Sequence, residues 1–278
     1  MSELRQRFPL APLLKFAGLP RSTYYYQQKA SQAADKYTAL KDRIRVLFAR
    51  HHGRYGYRRI TAALAQLGQQ ANHKTVQRLM HQMGLRSLVR PKKYRSYRGD
   101  VGRAAPNLLQ RQFSARQANE KWVTDVTEFN VGGEKLYLSP VMDLYNGEII
   151  AFATAKRPQY ELISSMLKKA LAKLKAGETP LLHSDQGWQY HMPAYRQALQ
   201  RKGMEQSMSR KGNCLDNAAM ESFFAVLKSE LFYLNKFSSV DDLQAAIKKY
   251  IRYYNHDRIK MKLKGLSPVQ YRTQPLAA

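Results

Sequence analysis

The sequence predicts an α/β domain preceded by an all-α region. Before residue 87, apolar side chains recur at helical spacing between Gly and Pro breakers. From residue 120 the period changes to that of strands, and glycine turns separate three β-rich runs, over 121–131, 135–146 and 148–155. Helical and strand-like segments then alternate. We therefore expect a sheet that begins as an antiparallel meander and becomes parallel, with helices crossing over it.

The order of the later segments narrows the fold class. After the three antiparallel strands we expect, in chain order, helix 160–174, strand 180–187, helix 192–202, strand 204–209 and helix 216–232. Three antiparallel strands followed by helix, strand, helix, strand and helix is the order of the ribonuclease-H-like fold. We therefore predict a domain of this class over residues 117–278, with a helical extension at its C-terminal end.

Two helical segments and a linker precede this domain. Residues 1–35 are predicted to form short helices around a turn, a weak helix-turn-helix signal that is equally consistent with a simple helical hairpin. Residues 36–86 predict three longer helices and a helix-turn-helix DNA-binding domain. Residues 87–116 are rich in Arg, Lys, Gly and Pro, which is typical of a basic linker.

The charge distribution indicates a polyanionic partner. The net charge is +27; residues 1–120 hold 24 Lys and Arg against 5 acidic residues, whereas residues 121–278 hold 23 against 15. Such a field matches the phosphates of nucleic acid. A membrane surface also attracts positive charge, but no apolar run approaches the length of a spanning helix and no signal peptide opens the chain. We therefore expect a soluble intracellular protein that binds DNA and has no membrane partner.

The third helix of residues 36–86 carries the candidate recognition surface. Asn72 is a suitable cap for it, and one face is an apolar stripe. The opposite face presents Lys74, Gln77 and Arg78, which can reach base edges and phosphates in a major groove. The alternative is a solvated face of a structural bundle. Further candidate DNA contacts are basic residues of the preceding helix and of the linker, namely Arg58, Arg59, Lys92, Lys93 and Arg95.

Three carboxylates are expected to converge in the α/β domain. Asp125 lies inside the first strand, Asp185 at the end of strand 180–187, and Glu221 one turn into helix 216–232. Phosphodiester cleavage uses two hard cations about 4 Å apart, and carboxylates are their natural ligands. The pattern predicts a catalytic site for two Mg²⁺ ions, with Mn²⁺ as a substitute. The alternative is three unrelated surface carboxylates.

Neighbouring residues are assigned other roles. Lys228 follows Glu221 by two helical turns and can contact the same DNA, although a solvated lysine is the alternative. Asp143 is the best rival carboxylate and is expected either to be structural or to contact the metal ligands without binding the ions. Asp216 is expected to cap helix 216–232. His51 is expected at a solvated helix end, because the other ligands of a zinc site are missing.

Several segments resemble one known family. They are WVTDVTEF, LHSDQGWQY, SRKGNCLDNAAMESFFAVLKSE and YNHDRIKMKLKGLSPVQY, and the likeness extends through HGRYGYRRI and NHKTVQRLM to nearly the whole chain. These segments resemble the second-reading-frame transposases of the insertion sequence three family of bacteria, in particular its one-hundred-and-fifty subgroup. The 35 residues between Asp185 and Glu221 match the family's Asp, Asp, thirty-five, Glu spacing.

The resemblance implies a retroviral-integrase-like core with Asp125, Asp185 and Glu221 as its acids and Lys228 at the family's basic position. It implies element ends and target DNA as partners, and a copy-out and paste-in route. It also implies an upstream-frame product, or a frameshift fusion with it, as a partner, since the family's active product is usually such a fusion and carries a leucine zipper from the upstream frame. This sequence shows no zipper. We expect a homo-oligomer on DNA in the bacterial cytoplasm, associated with the nucleoid.

The predicted function is that of a DNA transposase. It would bind the terminal inverted repeats of an insertion sequence and carry out metal-dependent strand cleavage and strand transfer, as in DNA recombination and integration. One alternative is a DNA-binding regulator that occupies element ends, from which only the intact acids separate it. The other is a structure-selective nuclease of the same fold, which would use water alone as its nucleophile.

The recognition surface gives the first test. Replacing Gln77 and Arg78 together with Ala should weaken binding to an element end more than binding to random DNA, because base contacts carry sequence information and phosphate contacts do not. Titrating both DNAs at one salt concentration measures the two losses. Equal losses of affinity for both DNAs would show that this helix contacts phosphates and does not contact base edges.

Overall fold

A computed structural model describes residues 4–32, 35–89, 105–210 and 214–274. The chain forms two compact units, Met1–Val46 and Leu47–Ala278. The predicted domain divisions after residues 35, 86 and 116 stay predictions. None of the helices in the described ranges combines the length and apolarity that a membrane crossing requires.

The first unit contains the short helices that the sequence predicts. They are α1 (Leu10–Phe16) and α2 (Arg21–Gln32), and α3 (Thr38–Arg50) begins in this unit. Gly18 lies between α1 and α2 with φ of +60°, a conformation that costs glycine least. Leu14 and Tyr24 are the buried side chains of this pair.

The second unit begins with two further helices, α4 (Tyr57–Gln66) and α5 (His73–Gln82). The predicted cap of α5 is confirmed, since the Asn72 side chain accepts a hydrogen bond of 2.8 Å from the Lys74 backbone N–H. The facing side chains of the two helices are all buried; they are Ile60, Ala63 and Leu64 on α4 and Val76, Leu79 and Met80 on α5. The two helices therefore form one packed pair.

The sheet has six strands. They are β1 (Lys121–Thr124), β2 (Thr127–Val131), β3 (Glu134–Asp143), β4 (Ile149–Ala155), β5 (Leu181–Ser184) and β6 (Gln206–Met208). β3 pairs antiparallel with β4 along one edge, and with β2 and then β1 along the other. β5 pairs parallel with β1, and β6 parallel with β5. The predicted change from an antiparallel to a parallel sheet is confirmed.

Helices cover both faces of this sheet. They are α6 (Tyr160–Leu171), α7 (Pro193–Gln200), α8 (Ala218–Leu227) with a π-helical turn over Lys228–Phe232, α9 (Val240–His256) and α10 (Pro268–Arg272). Adjacent residues of a strand face opposite sides, so Trp122 packs with α6 and α7, while Val123 packs with α8 and α9. The sheet is thereby buried on both faces, which leaves the strand ends as the place for polar chemistry.

Candidate active site

Two parallel strands bring two of the predicted acids to the same edge of the sheet. β1 and β5 pair with Val123 opposite His183. Asp125 and Asp185 each follow this pair by two residues. Because both strands run in the same direction, the two aspartates lie side by side beyond the carboxyl ends of β1 and β5.

Asp125 occupies a break in the sheet rather than the middle of a strand, so the predicted continuous strand over 121–131 is wrong. β1 ends at Thr124 and β2 begins at Thr127. Within the break, the Asp125 carboxylate accepts a 2.7 Å hydrogen bond from the Val126 N–H. The start of α8 is tied to the same place, since the Asn217 side-chain amide donates to the Thr124 carbonyl at 3.1 Å.

Asp185 opens the loop after β5. Its carboxylate accepts a 3.0 Å hydrogen bond from the Gly187 N–H, a local turn that Asp residues commonly form. The Gln186 side chain connects this loop to the end of β6, because its amide donates a hydrogen bond of 3.0 Å to the Ser209 carbonyl. Asp185 is thus held by its own loop and by the strand beside it.

Glu221 and Lys228 lie close enough to Asp125 to affect its pKa. Burial, followed by repulsion from Asp185, raises the pKa of Asp125 well above its ordinary value; Glu221 adds to the rise and Lys228 opposes it. Burial also raises the pKa of Asp185. Glu221 lies in the first turn of α8, and Lys228 directly follows its last residue. The carboxylates of Asp185 and Glu221 and the ammonium of Lys228 are therefore all close enough to act on Asp125.

Comparisons with known proteins show the family to which this chain belongs. Residues 115–214 and 221–276 each match a family model described as an integrase core domain, and residues 36–93 match an HTH-like domain. The chain is 55% identical over 274 residues to InsK of insertion sequence element IS150 from Escherichia coli (strain K12), covering 99% of this chain and 97% of that protein. The chain belongs to the transposases of the insertion sequence three (IS3) family.

More distant proteins support the same family and fold. The transposase for insertion sequence element IS904 from Lactococcus lactis subsp. lactis (strain IL1403) is 36% identical, with 84% of this chain and 92% of that one covered. A chain in the cryo-electron-microscopy structure of a simian T-cell lymphotropic virus intasome has a TM-score of 0.50 at 20% identity, covering 84% of this chain and 75% of that one. The structural likeness shows the fold. The family membership shows that this chain is a DNA transposase with a polynucleotidyl transferase core.

The donor set of the transposase fits a hard divalent cation. Carboxylate oxygens are the ligands that Mg²⁺ and Mn²⁺ prefer, and mutual repulsion of the acids is what a cation between them relieves. Among the described residues, no group of three His, Cys, Asp or Glu side chains is close enough to cage an ion as it stands. The fit therefore rests on the chemistry of the donors and on their shared charge.

Asp216 differs from its predicted role as the cap of the catalytic helix. α8 begins at Ala218 after Asn217, and Asp216 is instead fully buried in the short helical turn before it. Its carboxylate accepts hydrogen bonds from Asn107, Arg111 and Arg210. The side-chain hydrogen bonds of Arg210 are the main cause that lowers the pKa of Asp216 below its ordinary value. Asp216 thus anchors both the end of the linker and the loop before α8.

His183 is a second residue whose role the sequence did not reveal. It is fully buried in β5, with Nδ1 2.8 Å from Ser207 Oγ and Nε2 3.1 Å from Ser209 Oγ. Ser207 Oγ already accepts the N–H groups of Leu108 and Leu109, so its hydroxyl must donate to Nδ1 and the proton of His183 lies on Nε2. Burial lowers the pKa of His183 to about 4, so the ring is neutral at pH 7 and joins β5 to β6.

Asp143 lies at the opposite end of β1 from Asp125. It pairs with Trp122 at the start of β1, whereas Asp125 follows the end of that strand. The buried Asp143 carboxylate accepts hydrogen bonds from the Asn119 N–H and from Arg272 of α10. These contacts support the structural role that the sequence predicts for it.

The predicted DNA-contact residues differ in where they lie. Lys74, Gln77 and Arg78 are exposed on α5, and Arg58 is exposed on α4. Arg59 is partly exposed, and its guanidinium lies 3.5 Å from the buried Glu230 carboxylate, so its contact with DNA stays a prediction. Lys92, Lys93 and Arg95 lie outside the described residues, so their roles stay predictions.

The burial of Asp125, together with repulsion from Asp185, predicts a gain in stability when its charge is removed. A carboxyl whose folded pKa is raised carries no penalty below its unfolded pKa of about 3.9, and the penalty grows as pH rises through the folded pKa. Asp125→Asn should therefore raise the thermal midpoint of the metal-free transposase at pH 8 and raise it less at pH 5. A gain of about 1 kcal/mol corresponds to about 2–4 °C for a chain of this size.

Thermal unfolding in chelator measures this effect. Asp241→Asn is the matched control, because its carboxylate is exposed at the start of α9. An unchanged or lower midpoint for Asp125→Asn at pH 8 would show that burial and repulsion do not strain this site.

Proposed function

We propose that this transposase binds the terminal inverted repeats of its element and cuts and joins DNA strands at Asp125, Asp185 and Glu221. The observation that supports this most strongly is the parallel pairing of β1 with β5, which sets the two aspartates side by side. Glu221 reaches the same charge cluster from α8. A cluster of carboxylates that repel one another costs free energy. In a basic protein, such a cluster indicates a site whose ligands are cations and phosphates.

We propose that the three acids hold two Mg²⁺ ions, for which Mn²⁺ can substitute. When bound, such ions supply activation of the attacking oxygen and stabilisation of the leaving oxygen of the phosphodiester. Asp125 and Asp185 would hold them from the strand ends, and Glu221 from the first turn of α8. The integrase-type core supports this choice of cofactor.

Lys228 is suited to hold the DNA rather than the ions. Its ammonium lies 5.2 Å from the centre of the Phe129 ring on β2, on the side of the acids. A phosphate contact there would draw the DNA backbone over the carboxylates. The exposed face of α5 with Lys74, Gln77 and Arg78 would bind the sequence of the element end.

Further partners are part of the same proposal. The family resemblance supports an upstream-frame product, or a frameshift fusion with it, as the partner that supplies a zipper. A homo-oligomer on the DNA would bring two element ends together. Nucleoid association in the cytoplasm follows from the charge of +27.

Isosteric replacement of the acids separates catalysis from binding. Asp185→Asn and Glu221→Gln keep the shape of each side chain but remove the charge that a hard cation requires. Nicking and strand transfer should both collapse with either change. DNA binding should survive or tighten, because each change removes a negative charge that faces phosphate. The measurement is cleavage and binding of a labelled inverted repeat with Mg²⁺ or Mn²⁺, with the upstream product supplied.

Two other carboxylates serve as controls. Asp241→Asn removes an exposed charge and should cleave like the wild type. Asp143→Asn should retain measurable cleavage, and its thermal midpoint reports the loss of the contact with Arg272. Wild-type cleavage by Asp185→Asn or Glu221→Gln would refute the acid assignment. Joint loss of binding and cleavage would mean that these carboxylates support the fold instead.

A further inference from the structure

A buried acid lies just beyond the catalytic helix and takes no part in the proposed chemistry. Glu230 belongs to the π-helical turn that continues α8, and its side chain is only 2% exposed. Arg258 forms two hydrogen bonds with its carboxylate, at 2.7 and 2.9 Å, and the Tyr250 hydroxyl donates a third at 2.9 Å. The Glu230 charge is therefore neutralised from within the C-terminal extension.

Two further arginines reach the same residue from the helical region near α4. Arg54 Nε donates to the Glu230 carbonyl at 3.0 Å, and Arg59 Nη1 lies 3.5 Å from its carboxylate. The Arg54 guanidinium also lies over the rings of Tyr250 and Tyr253, at 5.4 and 4.9 Å. Glu230 thus connects the helical region to the end of the catalytic helix.

Other contacts support this connection along the length of α4. The Tyr55 hydroxyl donates to the Asp257 carbonyl at 3.2 Å and accepts the Ile259 N–H at 2.7 Å. The Gln66 side chain, at the other end of α4, donates to the Gly265 carbonyl at 2.8 Å. His51 is buried against Tyr55 with ring centres 3.9 Å apart, which contradicts its predicted place at a solvated helix end.

Misalignment of the contacts around Glu230 would cost free energy. Buried ions lose hydration, so they are tolerated only where partners are held in good geometry, and a network of this kind specifies one arrangement rather than adding much net stability. One side of the junction continues through the packed pair of α4 and α5 to the candidate DNA-reading face. The other side continues through the π-helical turn to Lys228 and then to Glu221 on α8. π-Helical turns inside helices are frequent at functional sites.

We propose that Glu230 is a positioning residue that fixes the distance between the DNA-reading helix α5 and the acid site of the same chain, and so sets the nucleotide at which the element end is cut. The inference rests on the proposed function. Through Arg54 and Arg59, the register in which α5 binds the end is passed to α8. Loss of the contacts between Glu230 and these two arginines leaves DNA binding and strand cleavage in place, but the position of the cleaved phosphate then varies.

The test is the position of the nick. Arg54→Ala with Arg59→Ala removes the two arginines that come from the helical region and leaves Arg258 paired with Glu230, so no buried charge is stranded. On an end-labelled inverted repeat with Mn²⁺, the wild type should nick at one position. The double variant should still bind the same DNA but spread its nicks over neighbouring nucleotides, with a several-fold loss at the authentic position relative to the total nicks. Arg252→Ala removes an exposed arginine of α9 and is the matched control.

The outcomes separate the two proposals. A wild type that does not nick the end contradicts the proposed function, and the inference fails with it. A wild type that nicks, with a double variant that nicks only at the same position and rate, overturns the positioning role of Glu230 alone. If the double variant fails to fold, Arg54→Lys with Arg59→Lys keeps both charges and shortens their reach; it should broaden the nick position, and a single authentic nick from it overturns the inference.

Discussion

The parallel pairing of β1 with β5 is the constraint on which the rest of the structure depends. It places Asp125 and Asp185 side by side in a half-buried position, where burial and then repulsion from Asp185 raise the cost of ionising Asp125. Without a cation, the raised pKa of Asp125 favours its neutral form, while the surrounding backbone keeps the two carboxyl groups together. The break between β1 and β2, the turn at Gly187 and the tie from Asn217 to Thr124 hold the strand ends in place. Local strain of this kind is expected where cations and phosphates are the ligands.

Acids of the same domain have opposite environments, and the difference separates their roles. Arginines surround Asp216 and lower its pKa, which makes it a permanent anchor for the loop before α8. Asp125 lies among other acids and its pKa is raised, which makes it a site for added positive charge. The neutral His183 ring, held between two serines, keeps β5 in line with β6 without adding charge beside Asp185. The charge of Asp216 is thus balanced within the chain, and we propose that the charge of the acid site is balanced by bound cations.

Local patterns predicted much of the fold. The helical and strand periods, the Asn72 cap and the order of elements depend on neighbours in sequence, and the spacing of Asp185 and Glu221 pointed to the acid site. The sequence could not predict contacts whose partners are distant along the chain. Arg59 was assigned to DNA because it is basic and lies on a helix, yet Glu230, 171 residues away, is its partner. Asp216 has the pattern of a helix cap, but Arg111 lies 105 residues before it. The strand break at Asp125 likewise has no turn residue to mark it.

Strand joining is the property that most directly tests this account, because it distinguishes a transposase from a nuclease of the same fold. The measurement uses an inverted-repeat end that already carries a free 3′-hydroxyl, a separate target duplex, Mn²⁺ and the full chain with its upstream product. The account predicts a joined product in which the labelled end is covalently attached to target DNA, and none with Glu221→Gln. Hydrolysis of the target without any joined product, in conditions where the wild type binds both DNAs, would contradict it.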